Sequence, residues 1–236
     1  MRIALIGYGK MGHEIEAAAL ELGETVVATF DIGNPADVAS LSDIDMCIEF
    51  STPQTVLQNV RVAIEAHKDI VVGTTGWYDQ LPEIRKSVKE SGLLYSPNFS
   101  IGVNIMFRMV KAAAELMNKA PQYDPYIHEL HHRQKVDSPS GTALKLGEIL
   151  LSKIERKKRV ETHALDRRID PEELHVSSTR VGTFAGTHTV GFDSDADLIE
   201  ITHTAKTRRG FALGAVRAAQ WLKGRKGVFT MDDVEL

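Results

Sequence analysis

Residues 2–12 read Arg2-Ile3-Ala4-Leu5-Ile6-Gly7-Tyr8-Gly9-Lys10-Met11-Gly12. A short apolar run meets glycines in G-x-G-x-x-G spacing, and an amphipathic stretch follows at once. A strand that turns through this spacing into a helix is the context in which it cradles a dinucleotide. Gly7 suits the tight turn, Gly9 lets the backbone approach a pyrophosphate, and Gly12 allows close helix-to-strand packing. The helix N-terminus offers free N–H groups and the positive end of its dipole to the phosphates. A glycine-rich turn with no ligand is the plain alternative, and the surrounding sequence bears on it.

Outward from this stretch, short apolar runs alternate with amphipathic ones. A helix is expected over 10–23, then TVVATF (25–30), MCIEFS (46–51), a helix near 53–67, DIVVGTT (69–75), a helix over 81–91 and GLLYSPNF (92–99). Strands that are apolar throughout and separated by helices indicate a parallel sheet covered on both faces, a Rossmann-like α/β domain. Asp31 follows the second run, where a carboxylate accepts hydrogen bonds from the adenosine ribose; otherwise it is a turn-forming Asp before Ile32-Gly33-Asn34. Phe50-Ser51-Thr52, Gly73-Thr74-Thr75-Gly76 and Pro97-Asn98-Phe99 stand at further strand ends, where ligands of such sheets bind. Turn chemistry explains one such loop better than three.

After Asn98 the pattern changes. A helix is expected over 104–119, a strand in YIHELHH (126–132), and a helix over 141–153. Three strand-like runs follow without helices between them: HVSSTRVG (175–182), HTVGFDS (188–194) and DLIEITHTA (197–205). Their alternation and tight turns suggest an α+β domain with an open, mostly antiparallel sheet. The amphipathic stretch 211–222 and GVFTMDDV (227–234) are expected to return to the first domain. Residues 1–102 and 210–236 then form a dinucleotide-binding domain, and 103–209 a substrate-binding and oligomerisation domain.

Composition removes several function classes. Of the 236 residues, 28 are Lys or Arg and 32 Asp or Glu, so the chain lacks the overall cationic field of a nucleic-acid binder. The single cysteine, Cys47, permits no internal disulfide and no cysteine zinc ribbon, and reads as buried strand packing. No apolar run reaches the about 18 residues that span a bilayer, and the chain enters its first strand without a charged leader or cleavable apolar segment. A cytoplasmic protein without membrane or nucleic-acid partners is expected.

The densest polar cluster is Glu129-Leu130-His131-His132-Arg133-Gln134-Lys135, followed by Val136-Asp137-Ser138-Pro139-Ser140-Gly141-Thr142-Ala143. It joins a strand to a helix. Cationic side chains converge there on a helix N-terminus, and both devices favour an anion with more than one oxygen cluster, such as a small dicarboxylate. A histidine near a lysine also offers the proton donor that hydride reduction of a polarised double bond needs. The bland alternative is a capping turn beside a solvated basic patch. A zinc reading of His128, His131 and His132 fails because neighbours on a strand point to opposite faces, so no metal is expected. His188 and His203 read as structural.

These blocks, GYGKMG, EFSTP, VVGTTGW, SPNFSIGVN and above all ELHHRQKVDSPSGTA, closely resemble the 4-hydroxy-tetrahydrodipicolinate reductase family, and the similarity continues to FTMDDV. The resemblance implies a reductase of the diaminopimelate route to lysine. It makes His131 the proton donor, Lys135 its catalytic partner, and His132, Ser140, Gly141 and Thr142 binders of the substrate carboxylates. It places the dinucleotide on Gly7, Tyr8, Gly9, Lys10, Met11, Gly12, Asp31, Gly73, Thr74, Thr75, Ser96, Pro97, Asn98 and Phe99, beside Phe50 at the neighbouring strand end. It also implies a homotetramer paired through the second domain's sheet. Two departures bear on the expectation. The stretch from Asp31 to Asp45 is shorter than in many members, which suggests a sheet trimmed by a crossover unit. Ile32 stands where members favouring NADPH often carry arginine, so NADH is expected to serve at least as well as NADPH. Rival readings are another Rossmann reductase of amino-acid metabolism, such as a homoserine or aspartate dehydrogenase, and a non-catalytic dinucleotide sensor. The HHRQK cluster argues against both, and a sensor would need a recognition element that the sequence does not offer.

Overall fold

The computed structural model describes residues 1–235. Its elements run β1 (Arg2–Ile6), α1 (Lys10–Glu21), β2 (Thr25–Phe30), β3 (Met46–Glu49), α2 (Val56–Glu65), β4 (Asp69–Val72), α3 (Leu81–Ser87) and β5 (Gly92–Tyr95). Then follow α4 (Ile101–Asn118), β6 (Asp124–His131), α5 (Gly141–Lys153), β7 (Arg159–Glu161), β8 (Glu173–Arg180), β9 (Thr187–Asp193) and β10 (Leu198–Thr204). The chain ends with α6 (Arg209–Leu222) and β11 (Gly227–Thr230). Two compact units result, Met1–Ile101 with Arg208–Leu236, and Gly102–Thr207.

The first unit is a six-stranded sheet in the order β11-β5-β4-β3-β1-β2, parallel at every pairing. The two-residue period of a strand explains why its runs are apolar throughout. Ile3 and Leu5 of β1 pack with Ile15 and Ala19 of α1 and Ala215 and Ala219 of α6, whereas Ala4 and Ile6 face Val56, Val60 and Ala63 of α2. Between β2 and β3 there is no helix; Ala36, Leu41 and Ile44 of that connection join the core in its place. The sheet is thus short of one crossover helix, and β2 is its edge strand. The C-terminal run pairs β11 with β5 in parallel. Cys47 is fully buried in β3, where burial pushes its thiol up to about 12.

The second unit is a five-stranded sheet in the order β10-β9-β6-β8-β7. It is mixed rather than mostly antiparallel: β10–β9 and β9–β6 are antiparallel, but β6–β8 and β8–β7 are parallel. The reason lies in α5, which lies between β6 and β8 in the chain and serves as the crossover that a parallel pair requires. Met106 and Val110 of α4 and Leu146 and Leu150 of α5 cover one face, over Ile127, Val176 and Val190. Two helix limits also differ from expectation. The helix placed at 81–91 stops at Ser87 because Val88 is already extended, and the one placed at 104–119 starts at Ile101. Among the described residues no helix is long and apolar enough to cross a membrane.

The glycine loop gives a direct check on the fold. Gly7 has φ +90° and its backbone is so close to β3's end that a Cβ would lie 2.2 Å from the Phe50 carbonyl oxygen. At Gly9 a Cβ would meet nothing within 4 Å. Gly7→Ala is therefore expected to cost about 2–4 kcal/mol in urea unfolding, and Gly9→Ala to stay within about 0.5–1 kcal/mol. Equal costs would mean that the contact at Gly7 does not limit the fold.

Candidate active site

Parallel strands bring their carboxyl ends to one edge, and in the first unit the expected loops meet there. Ser51 N donates to Thr74 Oγ1 at 2.8 Å, Gly73 N to Glu49 O at 2.8 Å, and the Phe50 ring occupies the space beside Gly73. A cleft of about 440 Å³ opens at this edge, lined by Gly7, Gly9, Asp31, Ile32, Phe50 and Ser51 among others, with no Lys or Arg in its lining. Asp31 lies one residue beyond β2, in the turn that its plain reading expected: Oδ1 accepts from Ile32 N at 2.8 Å within a turn closed by Asn34, and Oδ2 accepts from Tyr8 N at 3.3 Å. It thereby ties the glycine loop to β2.

The other residues expected at the dinucleotide differ in what they present. Lys10, Thr75 and Pro97 are exposed, Tyr8, Met11 and Asn98 are half-buried, and Gly12, Thr74 and Ser96 are buried. Tyr8 hydrogen-bonds Glu16, and its ring meets that of His13 at a tilt of 59°. Phe99 is 1% exposed and packs in the core against Phe50. Beneath the loops Glu49 is fully buried; burial raises its pKa, against hydrogen bonds from Ser51, Thr74 and Asn59. The sequence reading gave it no role.

In the second unit the decisive fact is alternation along β6. Pro125, Ile127, Glu129 and His131 are buried, and the residues between them are not. A carboxylate and an imidazole thus occupy positions that the pattern reserves for apolar side chains. Parallel pairing sets Glu129 opposite Ser178 and His131 opposite Arg180, and antiparallel pairing sets Glu129 opposite His188. Glu129 Oε1 accepts from Arg180 Nη2 at 2.8 Å, Ser178 Oγ at 2.9 Å and Ser140 N at 3.0 Å. Oε2 lies 3.1 Å from His131 Nδ1 and 3.5 Å from His188 Nε2. Burial opposes ionisation of Glu129, but these donors outweigh it and hold the carboxyl far below its usual range.

His131 is pushed the other way. Burial lowers its pKa to about 4; Glu129 opposes the shift, and the charges of His188, Lys135 and Arg180 add to it. At neutral pH the imidazole is uncharged. Its Nε2 edge lies against Gly186, where a Cβ would approach to 2.8 Å.

The helix after the cluster begins as expected. Ser140 caps α5, accepting from Ala143 N at 3.2 Å, and its Oγ also meets His188 Nε2 at 3.1 Å. The preceding Ser138–Pro139 peptide is cis. A Cβ on Gly141 would meet nothing within 4 Å, so the space over the helix N-terminus is open, with Thr142 half-buried beside it. His132 is anchored through its backbone to Phe184 O at 2.8 Å, and Lys135 Nζ pairs with Asp137 Oδ1 at 2.7 Å.

Three side chains of this region are placed as follows. Arg133 is exposed, and the guanidinium that reaches the buried cluster is that of Arg180. His188, read as more structural than catalytic, lies in the cluster, with its ring 5.0 Å from that of His131. His128 takes the opposite face and meets Ser177 Oγ at 2.8 Å. Glu129, His131 and His188 hold their donor atoms within 4.8 Å of one another. The guanidinium already bound to the carboxylate makes this trio an ion-pair cluster rather than a cation site. A wider, open depression of about 570 Å³ lined by Leu116 and Lys153 includes none of these residues.

Comparison with known proteins agrees with both halves. The family model described as dihydrodipicolinate reductase, N-terminus, matches residues 1–99, and that described as dihydrodipicolinate reductase, C-terminus, matches 102–234. A 4-hydroxy-tetrahydrodipicolinate reductase of Christiangramia forsetii is 41% identical over 99% of this chain and 97% of its own. One from Neisseria gonorrhoeae is 37% identical over 93% of this chain and 83% of its own. Among solved structures, dipicolinate-bound dihydrodipicolinate reductase from Paenisporosarcina sp. TG-14 shares the fold with a TM-score of 0.79 at 23% identity, over 98% of this chain and 97% of that one. An amine dehydrogenase from Mycobacterium smegmatis follows the same fold at a TM-score of 0.67 and 11% identity, over 100% and 96%. With both of its units matched end to end, the chain belongs to the dihydrodipicolinate reductase family.

Proposed function

We propose that this chain reduces 4-hydroxy-tetrahydrodipicolinate to tetrahydrodipicolinate, the reductase step of diaminopimelate and lysine biosynthesis, using NADH or NADPH. The observation that carries the reading is the β6–α5 junction, where a buried imidazole and an ionised carboxylate stand beside the open N-terminus of a helix. That combination offers a proton and an anion seat to a small dicarboxylate.

The first unit is assigned to the dinucleotide. Open space over Gly9 admits a pyrophosphate against the backbone, the cleft beside Asp31 suits an adenosine ribose, and the loops at Phe50, Gly73–Thr75 and Ser96–Phe99 are left for the nicotinamide end. When bound, the dinucleotide supplies a hydride to the conjugated imine that remains after the substrate loses water. His131 gives the proton to the other terminus. Lys135 holds developing charge, for which it must exchange its present partner Asp137. His132, Ser140, Gly141 and Thr142 seat the carboxylates, Gly141 and Thr142 at the open helix start, while the Ser140 N–H is directed inward at Glu129. Fixing the ring between such groups is worth several kcal/mol, the scale that orientation and charge stabilisation contribute. The second sheet, whose edge strand β10 exposes Leu198 and Ile199, is the surface this reading gives to assembly as a homotetramer.

Cofactor choice follows from the cleft. Asp31 accepts hydrogen bonds from ribose hydroxyls and repels a 2′-phosphate, and no positive side chain lines the cleft to offset that repulsion. Exposed Lys10 is a single flexible ammonium without the fork of an arginine. A coupled assay with the product of dihydrodipicolinate synthase, at fixed ionic strength because salt screens the phosphate's contribution, tests both points. It is expected to oxidise NADH with a kcat/KM at least equal to that for NADPH, and Ile32→Arg should shift the ratio toward NADPH. No oxidation of either cofactor would overturn the reading. A tenfold preference for NADPH, about 1.4 kcal/mol, would instead reveal a phosphate site at Lys10 or elsewhere.

A further inference from the structure

Glu129 does more than the reading above asks of it. It is fully buried, it is ionised, and it reaches both the imidazole and the backbone of the helix start. Its two oxygens are used differently. Oε1 is saturated by Arg180, Ser178 and the backbone of Ser140. Oε2 faces His131 Nδ1 and His188 Nε2 at ion-pair distance, yet no hydrogen bond is aligned on it, and His131 Nδ1 is likewise buried without one. A buried acceptor and a buried nitrogen left unmade at 3.1 Å are costly apart and complementary together.

We propose that Glu129 is a positioning residue for the reduction: it holds His131 and the N-terminus of α5 as one unit, and it is the counter-charge against which His131 takes up its proton when the dicarboxylate binds. This rests on the reading of His131 as the proton donor. The surrounding charges explain why uptake waits for the ligand. From β8 comes Arg180, from β9 His188, and from the loop after β6 Lys135, itself paired with Asp137; on β10, burial and then the charge of His188 lower the pKa of His203. Without ligand, burial and these neighbours outweigh Glu129, and the imidazole is neutral. A dianion seated at the helix start adds negative charge close to the ring. The proton then goes to the imidazole, Nδ1–H turns onto Oε2, and Nε2–H is left to donate to the substrate. Oε1 keeps its three donors throughout, so the helix start does not move.

Glu129→Gln is the discriminating variant, because an amide oxygen can keep the three bonds of Oε1 while the charge is lost. With circular dichroism and the Kd for NADH unchanged, kcat is expected to fall about 10²-fold. The inhibition constant of pyridine-2,6-dicarboxylate should change much less. Loss of the negative charge destabilises the imidazolium, so the alkaline limb of the kcat profile should move to lower pH by about one unit. Wild-type kcat and an unmoved limb, in a preparation whose His131→Ala variant has lost turnover, would overturn the proposal and leave Glu129 a structural staple. If His131→Ala itself keeps its turnover, the reading of His131 fails instead, and the two failures are distinguishable. Should Glu129→Gln not fold, Glu129→Asp carries the test. It is expected to lose kcat through the retracted carboxylate while keeping the alkaline limb in place, and wild-type kcat in that variant would also overturn the proposal.

Discussion

A carboxylate buried on the core-facing side of a strand must find donors, and in the second unit the arrangement around Glu129 meets that demand. β8 lies parallel to β6 and brings Ser178 and Arg180; β9 lies antiparallel and brings His188; α5 starts with the Ser140 N–H directed at the same oxygen. Removing one such donor from a buried charge costs about 1–3 kcal/mol or more. The cluster therefore fixes register across three strands and sets where the crossover helix begins. The same geometry leaves one oxygen turned toward the imidazoles, so a structural requirement and a chemical one meet in a single side chain.

The first unit is organised by a different constraint, the close approach of backbones at the carboxyl edge of a parallel sheet. Gly7 can follow β1 only without a Cβ, since the Phe50 carbonyl occupies that space. Asp31 holds the glycine loop to the end of β2, and Ser51 and Thr74 join the neighbouring strand ends above buried Glu49. The edge is thus braced by hydrogen bonds from below while the space above Gly9 is open. That division, rigid support under an accessible backbone, is what a phosphate-binding turn requires.

Local chemistry made much of this legible in the sequence. The glycine spacing, the apolar strands, the cap at Ser140 and the limits of α5 are all set by residues near one another in the chain, and they stand where the reading placed them. What escaped depends on partners distant in sequence. β7 has only three residues and lies before a long irregular connection, so it carries no periodic signal, and without it the parallel pairings of β8 were invisible. Arg133 drew attention within the polar cluster because it is close to His131 in sequence, whereas strand pairing brings Arg180 to the buried carboxylate. Glu129 was legible in principle, because in the alternation Ile127-Glu129-His131 a carboxylate interrupts an apolar face. Its partners His188 and Arg180 were not, since nothing local fixes which strand lies alongside β6.

The central claim concerns one proton, and its most direct test is to observe it. Nitrogen-15 spectra of the His131 ring, assigned by comparison with His131→Asn, report its charge and tautomer across pH with and without pyridine-2,6-dicarboxylate. The account predicts a ring that is neutral at pH 7 in the free protein, titrating near the value of about 4 that burial imposes, and that becomes an imidazolium once NADH and the dicarboxylate are bound. A ring that titrates near its ordinary 6.5 in both states, or that stays neutral in the ligated protein, would contradict it.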